Sequence, residues 1–161
     1  MRLIFTNCYI LLLPILIWNI LFINKLPLSY QPSEFNRDIP IFVLIGENIF
    51  RSIIFILPLA LKFDWKSLRE RVGLLVYGAG SILYYLSWIA LIYMPNSFWS
   101  LGITGFSAPA YTPIIWLFGI SLAAKEYYFN ISYSKWHLQV PSLFFSGFHI
   151  SHLVIVYNRT Y

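Results

Sequence analysis

Glu47 and Arg51 stand four residues apart inside an otherwise apolar run, Ile39–Leu61. At about 100° per residue they fall, with Asn48 and Ser52, on one side of a helix. Glu placed four residues before Arg is the favourable order for a side-chain pair. A charge at bilayer depth costs roughly 2.5–3.5 kcal/mol, so the chain needs a reason to keep two. One reason is structural, an ion pair that fixes helix register. The other is chemical: Arg51 can bind an anionic headgroup or carboxylate, and Glu47 can carry a proton.

His149 and His152 are three apart and share a stripe with Ser142 and Ser146. An imidazole pair at this spacing can act as an acid–base relay or give two ligands to a metal. It can equally serve as plain interhelical hydrogen bonding. Glu47, His149 and His152 are therefore the catalytic candidates, and the two histidines the metal candidates. Tyr77, Ser81, Tyr84 and Trp88 repeat at four, three and four, which makes a second stripe. With Tyr77, Tyr84 and Trp88 as a cavity wall, the ligand-binding candidates are these three, Arg51, Asn48 and Asn19. Depth along the helices predicts that Asn19, Glu47, Asn48, Arg51, His149 and His152 gather at one level, beneath the uncharged segment Pro95–Pro113.

The elements that would hold these residues follow from composition. The chain has 161 residues, 59% hydrophobic and 11% charged, with a mean hydropathy of +0.70. Soluble domains carry about 25% charged residues. The apolar residues come in blocks, as membrane crossing requires. The expected fold is all-α, a polytopic transmembrane helix bundle of about five spans in one membrane domain. The spans are placed near residues 3–23, 39–61, 72–94, 101–124 and 138–157. The first is read as an uncleaved anchor that Pro14 kinks. The run Ile114–Ala124 is too short to cross alone and must borrow residues from one side. Segment 95–113 reads as a loop, a re-entrant segment or part of that fourth helix.

Lys and Arg set the expected orientation. With the N-terminus inside, Arg2, Lys62, Lys66, Arg69, Arg71, Lys125 and Lys135 face inward, against Lys25, Arg37 and Arg159 outward. The C-terminus is then outside. The same positions explain the net charge of +5 without a nucleic-acid patch, so the expected partner is a lipid bilayer. Trp65, Tyr93, Trp99, Tyr127, Tyr128 and Trp136 sit near span ends, where interfacial aromatics belong. Cys8 is the single cysteine, which excludes an internal disulfide or a paired-cysteine metal site.

The sequence holds no Gly-rich phosphate loop, GxSxG elbow or HExxH, and no inverted repeat is visible. It names no cofactor. The expectation is a small multi-pass membrane protein whose polar intramembrane site binds or transports a lipophilic or anionic small molecule. The alternatives are an intramembrane enzyme acting on a lipid-soluble substrate through a Glu/His acid–base or metal site, and a structural subunit of a larger membrane complex. A bacterial cytoplasmic membrane is the expected location, and a homo-oligomer is compatible with the sequence.

Overall fold

The computed structural model describes residues 6–161; residues 3–5 of the expected first span, and Arg2, lie outside this range. The chain is mostly helical. Helix α1 (Leu13–Phe22) is flanked by 3-10 turns, Cys8–Leu11 and Ile23–Lys25. Pro14 sits in the first turn of α1, where its missing N–H costs nothing, so it starts this helix instead of kinking it. The short helix α2 (Pro32–Phe35) precedes α3 (Ile41–Ile56). Pro58 converts the end of α3 into a 3-10 turn, Leu57–Ala60.

Strand β1 (Leu61–Phe63) and helix α4 (Leu68–Tyr93) follow. The α4 start is fixed by a capping box. The Ser67 hydroxyl accepts from the Glu70 N–H, and the Glu70 carboxylate accepts from the Ser67 N–H. The helix therefore begins inside the basic segment, four residues before the expected span.

Three single turns, α5 (Phe98–Leu101), α6 (Ile103–Phe106) and α7 (Ala108–Tyr111), lead into α8 (Pro113–Ala123). The expected fourth helix over 101–124 is thus broken. Gly102 is extended (φ −80°, ψ 146°) and separates α5 from α6, whereas Thr112 is helical (φ −61°, ψ −30°), so α7 runs on into α8. Pro109 and Pro113 each sit in a first turn, where a missing N–H costs little. Strand β2 (Ala124–Tyr127) and helix α9 (Trp136–Thr160) complete the chain.

Four stretches, Cys8–Lys25, Ile41–Ala60, Leu68–Tyr93 and Trp136–Thr160, are long and apolar enough to cross a membrane; Ala108–Ala123 is apolar but shorter. Their outer faces carry exposed aliphatic residues such as Ile20, Ile41, Ile45, Leu75 and Leu83. A bilayer stabilises such a surface and water does not.

The mostly helical fold agrees with the all-α expectation and carries one small ladder besides. β1 pairs antiparallel with β2, Lys62 opposite Glu126 with 3.1 Å between their charged groups, and Asn7 bridges to Lys62. This ladder ties the chain before α1, the end of α3 and the end of α8 together at one end of the molecule. At the other end Tyr157 donates to the Leu101 carbonyl, and Arg159 to the carbonyls of Glu34 and Arg37. Asp38, with φ of 53°, turns the chain there before Pro40. Aspartate tolerates this left-handed conformation better than most residues.

Helices α4 and α8 lie antiparallel and almost backbone to backbone. A Cβ on Gly73 would fall 2.3 Å from the Ala123 nitrogen, and one on Gly119 would fall 2.3 Å from the Tyr77 nitrogen. Glycines permit this approach, which gains close van der Waals contact where lipid offers no hydrophobic drive. The stripe residue Tyr77 serves this contact.

Candidate functional site

The site forms where α3 meets α9. Gly46 lets the helices close, because a Cβ there would meet the Phe148 ring at 2.5 Å. Phe50 stacks on Phe144 with ring centroids 4.8 Å apart and reinforces the contact. The next residue after Gly46 is Glu47, only 2% exposed and aimed at α9.

Its carboxylate has three side-chain partners. Arg51, one turn along α3, donates to Oε1. His149 Nδ1 is 3.0 Å from the same oxygen, and His152 Nδ1 is 2.6 Å from Oε2. The histidine spacing that placed both rings on one face of α9 thus delivers both to one carboxylate. His152 is fully buried, and its Nε2 lies 2.9 Å from the Phe35 carbonyl. The Phe35 ring stacks on His152 with centroids 3.9 Å apart. Phe145, one turn before His149 on α9, stacks under that imidazole with centroids 5.2 Å apart. Its ring also faces the Arg51 guanidinium at 5.9 Å.

Arg51 and His149 line a cavity of about 320 Å³. Trp18 and Phe22 of α1, Tyr84 and Trp88 of α4, and Trp116 of α8 supply aromatic walls. The Arg51 side chain is 41% exposed, so only part of its donor set is used by Glu47. The Tyr84 hydroxyl donates to Asn19 Oδ1 at 2.7 Å, which brings the first helix into the same wall. A second, smaller space of about 140 Å³ lies under α2, lined by Glu47, Asn48, Arg51 and His152. Arg51 therefore borders both spaces. The Tyr30 hydroxyl, pushed up from its ordinary pKa by burial, stays a donor and bonds the Phe106 carbonyl beside them.

Of the expected site residues, Glu47, Arg51, His149 and His152 come together directly. Asn19, Tyr84 and Trp88 line the larger space and Asn48 the smaller. Tyr77 is not among the residues lining these two spaces; its backbone lies at the close approach to Gly119. Among the described residues no group of three or more His, Cys, Asp and Glu side chains is arranged to hold a metal ion. Both imidazoles direct Nδ1 at the carboxylate instead.

Sequence reasoning missed Phe35, Trp18 and Phe145. Phe145 had a readable signal, an aromatic four residues before a histidine on one helix face. Phe35 had none, because its carbonyl and its ring reach His152 only through the tertiary fold. In comparisons with known proteins, the chain matches no family model, and no curated protein or solved structure is significantly similar to it.

Proposed function

We propose that this is a small multi-pass membrane protein that binds or carries a lipophilic anion, with the head group on Arg51 and the apolar body among the aromatic walls. The observation that carries the reading is the half-exposed Arg51 guanidinium on the wall of an aromatic cavity of about 320 Å³. A cation partly freed from its partner, in a space otherwise apolar, recognises an anion attached to hydrocarbon.

On this reading the chain crosses five times, with Ala108–Ala123 as the shortest crossing. The ladder end carries Lys62, Lys66, Arg69, Arg71, Lys125 and Lys135, which supports placing it inside and the α9 end outside. A bacterial cytoplasmic membrane remains the proposed location. Native mass spectrometry of the detergent-purified protein tests the reading. A lipid-like anion should accompany the wild type and the His149→Ala variant and be absent from Arg51→Ala. Equal content in wild type and Arg51→Ala would refute it.

One observation favours a second reading, an intramembrane enzyme acting on a lipid-soluble substrate. Glu47 orients His149 through Nδ1, and Nε2 makes no hydrogen bond to a described residue while the ring lines the larger cavity. A carboxylate-oriented imidazole is the arrangement of a general base. Turnover abolished in His149→Ala with ligand still bound would select this reading.

A further inference from the structure

His152 places both ring nitrogens against oxygen. The Phe35 carbonyl can only accept, so Nε2 carries a hydrogen. The 2.6 Å contact between Nδ1 and Glu47 Oε2 then needs one more hydrogen, since two lone pairs at that distance repel. It resides on nitrogen, giving imidazolium and carboxylate, or on oxygen, giving imidazole and carboxylic acid. In both forms Glu47 and His152 together are neutral.

The remaining charge is then a matter of counting. His149 donates its Nδ1 hydrogen to Oε1 as a neutral ring, and Arg51 donates to the same oxygen. Arg51 thus keeps a positive charge that no side chain among the described residues of the cluster balances. Glu70, the other acidic residue within the four long apolar stretches, is at the far end of α4 in its capping box. The groups around the cluster are neutral or basic: the Phe35 carbonyl from α2 and the Tyr30 side chain before it beside Glu47 and His152, Asn19 from α1 and Tyr84 from α4 across the larger space, and Arg159 farther along α9.

We infer that the site binds an anion and a proton together: the hydrogen held between Glu47 and His152 leaves Arg51 free to hold a monoanionic head group, and loss of that hydrogen releases the anion. Once the hydrogen leaves, the Glu47 carboxylate is matched by Arg51 alone, and the cluster becomes neutral. The proton and the anion reach the cluster from different spaces. Glu47 and His152 border the smaller one under α2, and the anion lies in the aromatic one, with Arg51 between them. An anion and a proton taken up together bring no net charge into a low-dielectric interior, which lowers the cost of their entry.

This inference rests on Arg51 being the anion contact, and the test separates the two. Hexadecanesulfonate, whose charge is fixed at every pH used, is titrated by calorimetry into the full chain in phosphatidylcholine nanodiscs from pH 5 to 9, with empty nanodiscs subtracted. Wild-type affinity should fall tenfold per pH unit above one apparent pKa, with one proton taken up per anion at high pH. Glu47→Gln removes the carboxylate and keeps Arg51 charged, so it should bind tightly at all pH values. His152→Gln leaves the carboxylate on Arg51 and should bind weakly at all pH values. Elution of both variants as the wild-type species verifies folding. Wild-type binding that is lost in Arg51→Ala yet independent of pH overturns the proton coupling and leaves the anion site standing. Binding absent from the wild type, or unchanged in Arg51→Ala, overturns both.

Discussion

His152 Nδ1 stands 2.6 Å from Glu47 Oε2, a contact between residues 105 apart in the chain. It joins α3 to α9 and turns an intrahelical Glu–Arg pair into a four-residue cluster. Removing the shared acceptor strands every donor on it. Glu47→Leu should therefore destabilise the protein by about 3–5 kcal/mol, the usual cost of breaking a buried pair from one side. Glu47→Leu/Arg51→Leu should recover only part of that loss, because the His149 and His152 nitrogens still lack their acceptor. Reversible denaturation of the purified variants measures both.

The α4–α8 contact makes a steric prediction. Gly119→Val and Gly73→Val each place atoms on backbone of the facing helix and should cost at least about 1–3 kcal/mol. Gly78 has nothing within 4 Å of its Cβ position. Gly78→Ala should leave stability within about 0.5 kcal/mol of wild type. Thermal unfolding in detergent distinguishes them, and equal effects at Gly78 and Gly119 would contradict the close crossing.

Asp64, beside the ladder, accepts from the Trp65 N–H, and Lys66 and Lys125 lie 3.8 and 3.6 Å away. The backbone hydrogen bond first, then the lysines, hold its carboxyl below the usual aspartate range. A folded-state pKa below the unfolded one gives stability that is present above the unfolded value, near 3.8, and lost as pH falls through the lower folded value. Trp65 fluorescence should report local loosening below about pH 4 in wild type. In Asp64→Asn that transition should be missing.

Arg159 bonds the carbonyls of Glu34 and Arg37 and so holds the α2 loop over His152. Arg159→Ala should raise hydrogen exchange across residues 32–38 by about tenfold or more, with little change in α4. Arg159→Lys should restore only part of the protection, because an ammonium lacks the planar fork that reaches two carbonyls. Exchange mass spectrometry resolves the two segments.

Local pattern determined a good deal about this protein. Blocks of apolar residues placed the long helices, because a helix that crosses a membrane must be apolar along its whole length. Spacing four put Glu47 beside Arg51, and spacing three put His149 and His152 on one face, because both follow from helix pitch alone. The prolines marked Pro95–Pro113 as a region that would not be one straight helix, but not that the chain would turn extended at Gly102. Tertiary structure decided which helix faces meet. Gly46 against Phe148 brought the histidines to Glu47, and Gly119 against the Tyr77 backbone set the close crossing of α4 and α8. The Phe35 carbonyl that fixes the hydrogen on His152 belongs to the short helix α2, 117 residues away. No periodicity encodes that contact, because a backbone oxygen looks the same at every position until folding places it.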